Sequence, residues 1–369
     1  MAEFLVSGYY GDKNTGDEAI LAGMIRALRV VNPEASFTVI SKKAAHTRAV
    51  HGVAAISRND FRSAWRAIGR ADMVISGGGS LLQDVTSTKS LLYYLGVITM
   101  GKVWGKPVVM YAQGIGPVNR PVSRAAIATI VNGVDLITVR DNESAEMLRR
   151  LHVGRPPITV TADPAMALGP SDPEQGAALL REAGAVLDRP VIGVSVRALV
   201  RGGQPWEPAL ARALDRLGRE TGASIVFVPM QVPRDVQTAA AVAGLMETPS
   251  VVVHGDLAHT EVRAMVARCD LMIGMRYHAL VFAAMNGVPL VGLSYDPKND
   301  SFLRMIGETV AGTTERLDPE TLVAAARRAL ADAVPFRARL QHKMEELTAL
   351  SHRNAQLVAE LLRKRGVRT

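Results

Sequence analysis

Arg276 and His278 stand two residues apart in the run Gly274-Met275-Arg276-Tyr277-His278-Ala279-Leu280. A fixed cation beside a titratable imidazole can grip an anion and move a proton. The flanks give the pair its position: residues 270–273 read as a short buried parallel strand, and 277–286 as a short helix closed by Gly287. At such a turn, unpaired backbone N–H groups and the helix dipole already favour negative charge. Two readings are open at this point. Either Arg276 holds a phosphate or carboxylate while His278 carries a proton, or Arg276 pairs with a structural carboxylate and His278 caps the turn.

The elements that must position this pair recur along the chain. Residues 4–9, 37–40, 73–75, 108–111 and 136–139 read as buried strands, and 17–31 as a helix with Ile20, Leu21, Met24, Ile25 and Leu28 on one face. The pattern lapses into Pro, Gly, Ser and Asp near 164–176, the expected linker. It resumes with strands at 191–196, 225–228, 251–253, 271–273 and 290–293. Apolar runs of this kind imply parallel sheets covered on both faces. An internal echo relates the halves: Ala71-Asp72-Met73-Val74-Ile75-Ser76-Gly77 matches Cys269-Asp270-Leu271-Met272-Ile273-Gly274, and Gly105-Lys106-Pro107 answers Gly287-Val288-Pro289. The expected fold is α/β, with two Rossmann-like domains of parallel sheet, 1–168 and 177–335, facing across a cleft. A long basic amphipathic helix in 336–369 is expected to fold back on the first domain.

Composition narrows the function classes. A chain of 369 residues fits two domains of about 150 to 200 residues each, and 48% hydrophobic residues can fill two cores. The single cysteine, Cys269, excludes an internal disulfide and a cysteine-based zinc site, which points to a reducing compartment such as the cytoplasm. His254 reads as a turn residue, and the histidines show no metal-ligand spacing, so neither metal nor cofactor is implied. Residues 1–6 carry no basic segment of a signal peptide, and no apolar run is long enough to span a bilayer. The net charge of +8 favours anionic partners. Nucleic acid is the weakest of these, because the basic residues are dispersed without an aromatic-basic motif.

The first half adds three polar loops at strand ends. Gly8-Tyr9-Tyr10-Gly11-Asp12-Lys13-Asn14-Thr15-Gly16-Asp17-Glu18 lets Asn14 and Asp17 bond a ligand hydroxyl, or lets Asp17 cap the helix. Gly77-Gly78-Gly79-Ser80-Leu81-Leu82-Gln83-Asp84 is read as entering a helix, where its amides hold an anion or sugar, or its glycines serve close packing. Gln83 and Asp84, with Thr86 and Ser87, form a hydroxyl-recognising set. Tyr111-Ala112-Gln113-Gly114-Ile115-Gly116-Pro117 places Gln113 after another strand.

These loops, with Arg140-Asp141, Ala162-Asp163-Pro164 and the Arg276/His278 turn, resemble the polysaccharide pyruvyltransferase family, most closely its CsaB type. The resemblance runs in order over nearly the whole chain. It implies a GT-B-like fold and transfer of the enolpyruvyl group of phosphoenolpyruvate to a sugar. The implied product is a 4,6-pyruvate ketal on N-acetylmannosamine of a lipid-diphosphate-linked precursor of a secondary cell-wall polymer, the kind of ketal that anchors S-layer proteins.

The residue types suit that chemistry. Protonating C3 of phosphoenolpyruvate gives C2 oxocarbenium character, a sugar hydroxyl attacks, and phosphate loss permits the second attack. His278 is the expected proton donor, Arg276 and Arg197 the expected donor clamps with Gly274 beside them, and Asp17 or Asp84 the acceptor of the hydroxyl proton. Asn14, Gly78, Gly79, Gln83, Asp84 and Gln113 are expected on the acceptor side. Arg140, before a helix start, reads as structural. The rival enzyme is a nucleotide-sugar glycosyltransferase, but aligning the Gly-x-Pro of its donor motif on Gly287 and Pro289 puts Phe282 where a ribose-gripping glutamate belongs. A noncatalytic glycan binder leaves Arg276 and His278 without a chemical task. The basic residues of 336–369 either meet an anionic membrane or diphosphate lipid, or face solvent.

Overall fold

The computed structural model describes residues 2–85, 87–199 and 205–367. It divides into two compact units. One takes the residues up to Asp12, Asp17–Leu168 and those from Glu346 onward; the other takes Lys13–Gly16 and Gly169–Glu345.

In chain order the first series is β1 (Glu3–Ser7), α1 (Thr15–Val31), β2 (Ser36–Ser41), α2 (Ala44–His51), β3 (Ala54–Ser57), α3 (Phe61–Arg70), β4 (Met73–Ser76), β5 (Gly79–Leu82), α4 (Thr88–Val103), β6 (Val108–Ile115), α5 (Pro121–Val131), β7 (Leu136–Val139), α6 (Asn142–Arg150) and β8 (Ile158–Val160). Its strands form a parallel sheet ordered β3-β2-β1-β4-β6-β7-β8, with β5 paired to β6 off that path. Successive residues of β1 enter different cores: Leu5 packs with Ile68, Val74 and Leu95, while Phe4 and Val6 pack with Leu21, Met24 and Leu28. Both faces of the sheet are therefore covered, as the unbroken apolar strands require.

The second series is α7 (Pro173–Glu182), β9 (Val191–Ser195), α8 (Glu207–Thr221), β10 (Ser224–Phe227), α9 (Arg234–Ala243), β11 (Ser250–Val252), α10 (His259–Arg268), β12 (Leu271–Gly274), α11 (Tyr277–Met285), β13 (Leu290–Ser294), α12 (Pro297–Met305), β14 (Val310–Thr313), α13 (Pro319–Ala331) and α14 (Ala333–Lys364). Its strands are also parallel, in the order β11-β10-β9-β12-β13-β14. Strand order reverses between β1 and β4 in one sheet and between β9 and β12 in the other. In open α/β sheets, ligands bind beyond the carboxyl ends of strands at such a switch point.

Four strands lie outside the expected set: β3, β5, β8 and β14. Of these, β3, β8 and β14 are sheet edges of three or four residues whose side chains are mostly half-buried or exposed, so their apolar pattern is weak. The glycine run enters a strand, β5, rather than a helix; α4 begins only at Thr88, where Ser87 caps it by accepting from the Ser90 amide. Cys269 is buried at the start of β12, and burial with Asp270 nearby pushes its thiol up to about 12. A thiol so placed is packing material.

The helix expected in 336–369 begins earlier, at Ala333, and runs unbroken across the division between the units. Its later part belongs to the first unit. There Ala355, Val358 and Leu362 join the core of Phe4 and Leu21, Ser351 donates to the Asp163 carbonyl (3.0 Å), and Asn354 Oδ1 accepts from Thr161 (2.8 Å). No described helix is long and apolar enough to cross a membrane.

Candidate active site

In the second unit the residues after β9 and β12 flank the switch point, with Gly274 in register with Ser195. Arg197 follows β9. Its Nη1 donates to the Tyr295 hydroxyl (2.7 Å), and its guanidinium lies over the Tyr295 ring at 4.8 Å. Lys298, in the first turn of α12, sits over the same ring at 5.4 Å. Burial alone would raise the Tyr295 phenol. Lys298, Arg197 and Arg276 outweigh it and hold the group below its ordinary value. Three cations thus act on one phenol at the carboxyl end of this sheet; Lys298 also pairs with Asp296 (3.4 Å) and Arg276 with Asp235, whereas Arg197 is in no ion pair with a described residue and is the cation best placed to meet an anion. Ser195 Oγ is buried there without a hydrogen-bond partner among the described residues.

Arg276 is only 8% exposed and does pair with a carboxylate. Its Nε donates to Asp235 Oδ2 (2.8 Å), its Nη2 donates to Asp235 Oδ1, and Nη2 also reaches Gln231 Oε1 (3.2 Å). Asp235, in the first turn of α9, is fully buried and also accepts from the Met230 and Gln231 amides at 3.1 and 2.9 Å. Arg276 is therefore a held guanidinium rather than a loose clamp, with Nη1 making no hydrogen bond to a described residue. Gly274, expected beside the donor, is buried, and a Cβ there would meet Leu280 Cδ2 at 2.7 Å. Its missing side chain serves strand-helix packing.

His278 lies half-buried in the first turn of α11, edge-on to Tyr277 (5.0 Å, 85°) and 5.9 Å from the Phe282 ring. The segment Lys13–Gly16 counts with this unit. Asn14 forms a β-bridge with Gln231, the Thr15 amide donates to the Met230 carbonyl (2.9 Å), and a Cβ on Gly16 would meet His278 Nδ1 at 2.0 Å. A side chain at position 16 would occupy the imidazole's place. Asn14, immediately before α1, accepts from the Gly16 amide (3.1 Å), so the turn-capping bond weighed for Asp17 is made by Asn14.

The first unit gathers the other loops. Asp17 is half-buried in the first turn of α1, its Oδ1 3.0 Å from where a Cβ on Gly79 would stand. Gly79 has φ +89, and a Cβ on Gly78 would meet Ile20 at 2.8 Å, so both glycines are required by backbone shape and packing. Asp84, expected as a base or sugar ligand, is buried and accepts from the Asn119 and Arg120 amides at 2.9 and 2.8 Å. Burial pushes its carboxyl up, but those amides and the Ser123 hydroxyl outweigh it and hold it below the usual range. It is an ionised brace for the loop before α5 and is poorly suited to take a proton. Gln83 accepts from the Val85 amide (2.9 Å); Thr86 lies outside the described residues. Gln113 is fully buried, with Nε2 donating to Ser76 Oγ (2.7 Å) and Oε1 without a partner among the described residues. Arg140 bonds Asp163 (3.1 Å) and Ser80 (3.1 Å), and its guanidinium fills the space beside Gly114.

A profile of the polysaccharide pyruvyl transferase family matches residues 14–297. The chain belongs to the polysaccharide pyruvyl transferase family. No curated protein matches it. Solved structures similar to this pyruvyl transferase include Anabaena HepE in complex with UDP-glucose (14% identity, 99% of this chain and 100% of that one, TM-score 0.65). A co-structure of MnaA with UDP from S. aureus is similar at 14% identity, 100% and 98% coverage and TM-score 0.67. A glycosyltransferase from Rickettsia africae is similar at 12% identity, 98% and 99% coverage and TM-score 0.66. With the two parallel sheets, these likenesses make the fold of this transferase GT-B-like.

In this pyruvyl transferase, several residues that sequence reasoning missed stand at the second unit's strand ends. Tyr295 and Lys298 lie in Ser294-Tyr295-Asp296-Pro297-Lys298-Asn299, a polar turn directly after a buried run, and that position was the available signal. Asn299 is fully buried and ties the turn to the loop before α11 by donating to the Met275 (2.7 Å) carbonyl, and to β13 by donating to the Leu293 (3.2 Å) carbonyl. Tyr10, in the first unit, is buried against the open faces of Gly8 and Gly77, and its hydroxyl has no partner among the described residues. Burial, then Asp17 and Glu18, raise its phenol well above the ordinary value, so it remains a proton-bearing donor. Among the described residues no three His, Cys, Asp or Glu side chains stand close enough to share a metal ion.

Proposed function

We propose that this chain is a phosphoenolpyruvate-dependent, ketal-forming pyruvyltransferase of the CsaB type. The observation that carries the reading is the strand-end cluster of Arg197, Lys298 and Arg276 around Tyr295, close in sequence to the His278 imidazole. Phosphoenolpyruvate carries a phosphate and a carboxylate, so a site with several fixed cations matches it better than it matches a neutral sugar. The second unit is then the donor side, with Arg197, Lys298 and Arg276 holding the two anionic groups. His278 protonates C3, C2 takes the first sugar hydroxyl, phosphate leaves, and the second hydroxyl closes the ketal as each hydroxyl gives up its proton.

The first unit is the acceptor side in this reading. Asp17 is the better candidate to receive a hydroxyl proton, because Asp84 is already committed to backbone amides. Gln113 remains a hydroxyl-recognising candidate there, and Asn14 remains one although it counts with the second unit. The acceptor is a lipid-diphosphate-linked glycan ending in N-acetylmannosamine, modified in the cytoplasm at the inner membrane face as a secondary cell-wall polymer precursor for S-layer anchoring. Of the solved structures with a similar fold, HepE is in complex with UDP-glucose and MnaA with UDP. With the donor motif of nucleotide-sugar enzymes aligned on Gly287 and Pro289, Phe282, which is fully buried, stands where a ribose-gripping glutamate would be needed, and that alignment disfavours a nucleotide donor.

Incubation with phosphoenolpyruvate and a synthetic lipid-diphosphate disaccharide is expected to release inorganic phosphate and add the mass of a pyruvate ketal to the glycan. Turnover of a nucleotide sugar with no use of phosphoenolpyruvate would overturn the assignment. In the same assay, Arg197→Gln and Lys298→Met should each raise the KM for phosphoenolpyruvate by about 10- to 100-fold, the loss expected for one charge-assisted contact, with a smaller change in kcat. A KM unchanged in both variants would remove the cluster as the donor site.

A further inference from the structure

We infer that the α3–α4 face of the first unit docks on an anionic phospholipid surface. On α3, Ala64, Ala67 and Ile68 are buried, which turns positions 61, 62, 65, 66 and 70 outward. Those positions hold Phe61 (65% exposed) and Trp65 (38%) one turn apart, next to Arg62 and Arg66 with the same spacing, followed by Arg70. The end of α4 continues the apolar part. Trp104 is 42% exposed and packs on Trp65 with ring centroids 5.2 Å apart, and Val103 beside it is 68% exposed. Two of the chain's three tryptophans are thus exposed in one aromatic pair, while the third, Trp206, is buried.

Charge decides the occupant. Neither α3 nor α4 contains an acidic residue, and Arg62, Arg66 and Arg70 are exposed and in no ion pair with a described residue. Asp60, just before α3, is spent capping it through the Ser63 amide (3.0 Å) and hydroxyl (2.6 Å). Exposed Trp and Phe flanked by arginines make the pattern of an interfacial surface: rings settle at headgroup depth and guanidinium groups meet lipid phosphates. The basic C-terminal helix, where the sequence suggested such a contact, has several of its cations engaged, although Lys364 is exposed and in no ion pair with a described residue. Arg339 pairs with Asp332 (2.7 Å), Arg353 with Glu360 (2.6 Å) and Arg365 with Asp135 (2.7 Å), while Arg337 donates to the Gly287 carbonyl (3.0 Å). As a way of reaching a lipid-linked acceptor, this surface rests on the function proposed above; as a membrane-binding face it stands on its own residues.

The test uses the full chain with vesicles of phosphatidylcholine containing one quarter phosphatidylglycerol, and with phosphatidylcholine alone. The anionic vesicles should co-sediment the protein and shift its tryptophan emission to the blue through Trp65 and Trp104, with weak binding to the neutral ones. Arg62→Ser/Arg66→Ser should lower binding about 10- to 30-fold, and Phe61→Ser/Trp65→Ser at least as much. Both variants should keep the wild-type melting temperature and pyruvylate a water-soluble acceptor at the wild-type rate. The inference fails if the anionic vesicles leave the emission unchanged, or if both variants bind as well as wild type. It fails also if light scattering shows that the face instead joins two copies of the chain. Vesicle binding without turnover of any acceptor would leave this surface standing and remove the catalytic reading instead.

Discussion

Replacing His278 by alanine is expected to lower phosphate release from phosphoenolpyruvate roughly a thousandfold while leaving donor binding within about threefold of wild type. A positioned general acid contributes on the order of 10² to 10⁴ in rate. The expected separation of binding from turnover follows from where the charges lie: the cations acting on Tyr295 are Lys298, Arg197 and Arg276, all outside the imidazole. The imidazole is half-buried in the first turn of α11, so its loss removes the proposed proton donor without opening the core. Donor affinity from calorimetry, set beside single-turnover phosphate release, checks the separation. Near-normal release by His278→Ala would remove it as the acid, and loss of binding in proportion to loss of rate would make it a ligand of the donor instead.

Asp235→Ala is expected to destabilise the second unit by about 3 to 5 kcal/mol, because it leaves the Arg276 guanidinium buried without its counter-charge. The Met230 and Gln231 amides lose their acceptor in the same step. Activity should fall with stability even under conditions where the variant stays folded, since Arg276 would no longer be held in place. Asp235→Asn keeps the size and one acceptor oxygen and should recover part of the loss. Urea unfolding followed by circular dichroism gives the stability difference, and KM for phosphoenolpyruvate on the folded variants gives the positioning effect. An Asp235→Ala chain as stable and as active as wild type would show that the pair is dispensable.

The contrast between Asp235 and His278 shows what could be read from residue order. His278 and Arg276 are neighbours in sequence, and the apolar run before them marked a strand end, so their location was legible. Asp235 lies 41 positions from Arg276, on another helix, and no local pattern joins the two. The two readings of Arg276 could be separated only by seeing what lies opposite it. The interior strands were legible for the same reason as the Arg276/His278 turn, because both sides of each are buried and the apolar run is unbroken. Edge strands such as β8 and β14 carry no fully buried residue, so hydrophobic pattern had little to report there. The glycines were ambiguous in a different way. Gly78 and Gly274 sit in the expected loops, yet the atoms that require them to be glycine are Ile20 and Leu280. Asp84 likewise has a ligand's chemistry, but its oxygens are taken by amides 35 and 36 residues further on.

The last helix sets an order on the birth of the molecule. Its later part supplies Ala355, Val358 and Leu362 to the core built around β1 and α1, and Asn354 to the backbone after β8. The unit made first by the ribosome therefore lacks part of its interior until residues 355–362 have been synthesised, while the strands of the second unit emerge in one uninterrupted stretch. Until α14 has been made, the apolar surface that will receive it is uncovered, so the interval between making the first strand and closing its core includes the synthesis of all the strands of the second unit.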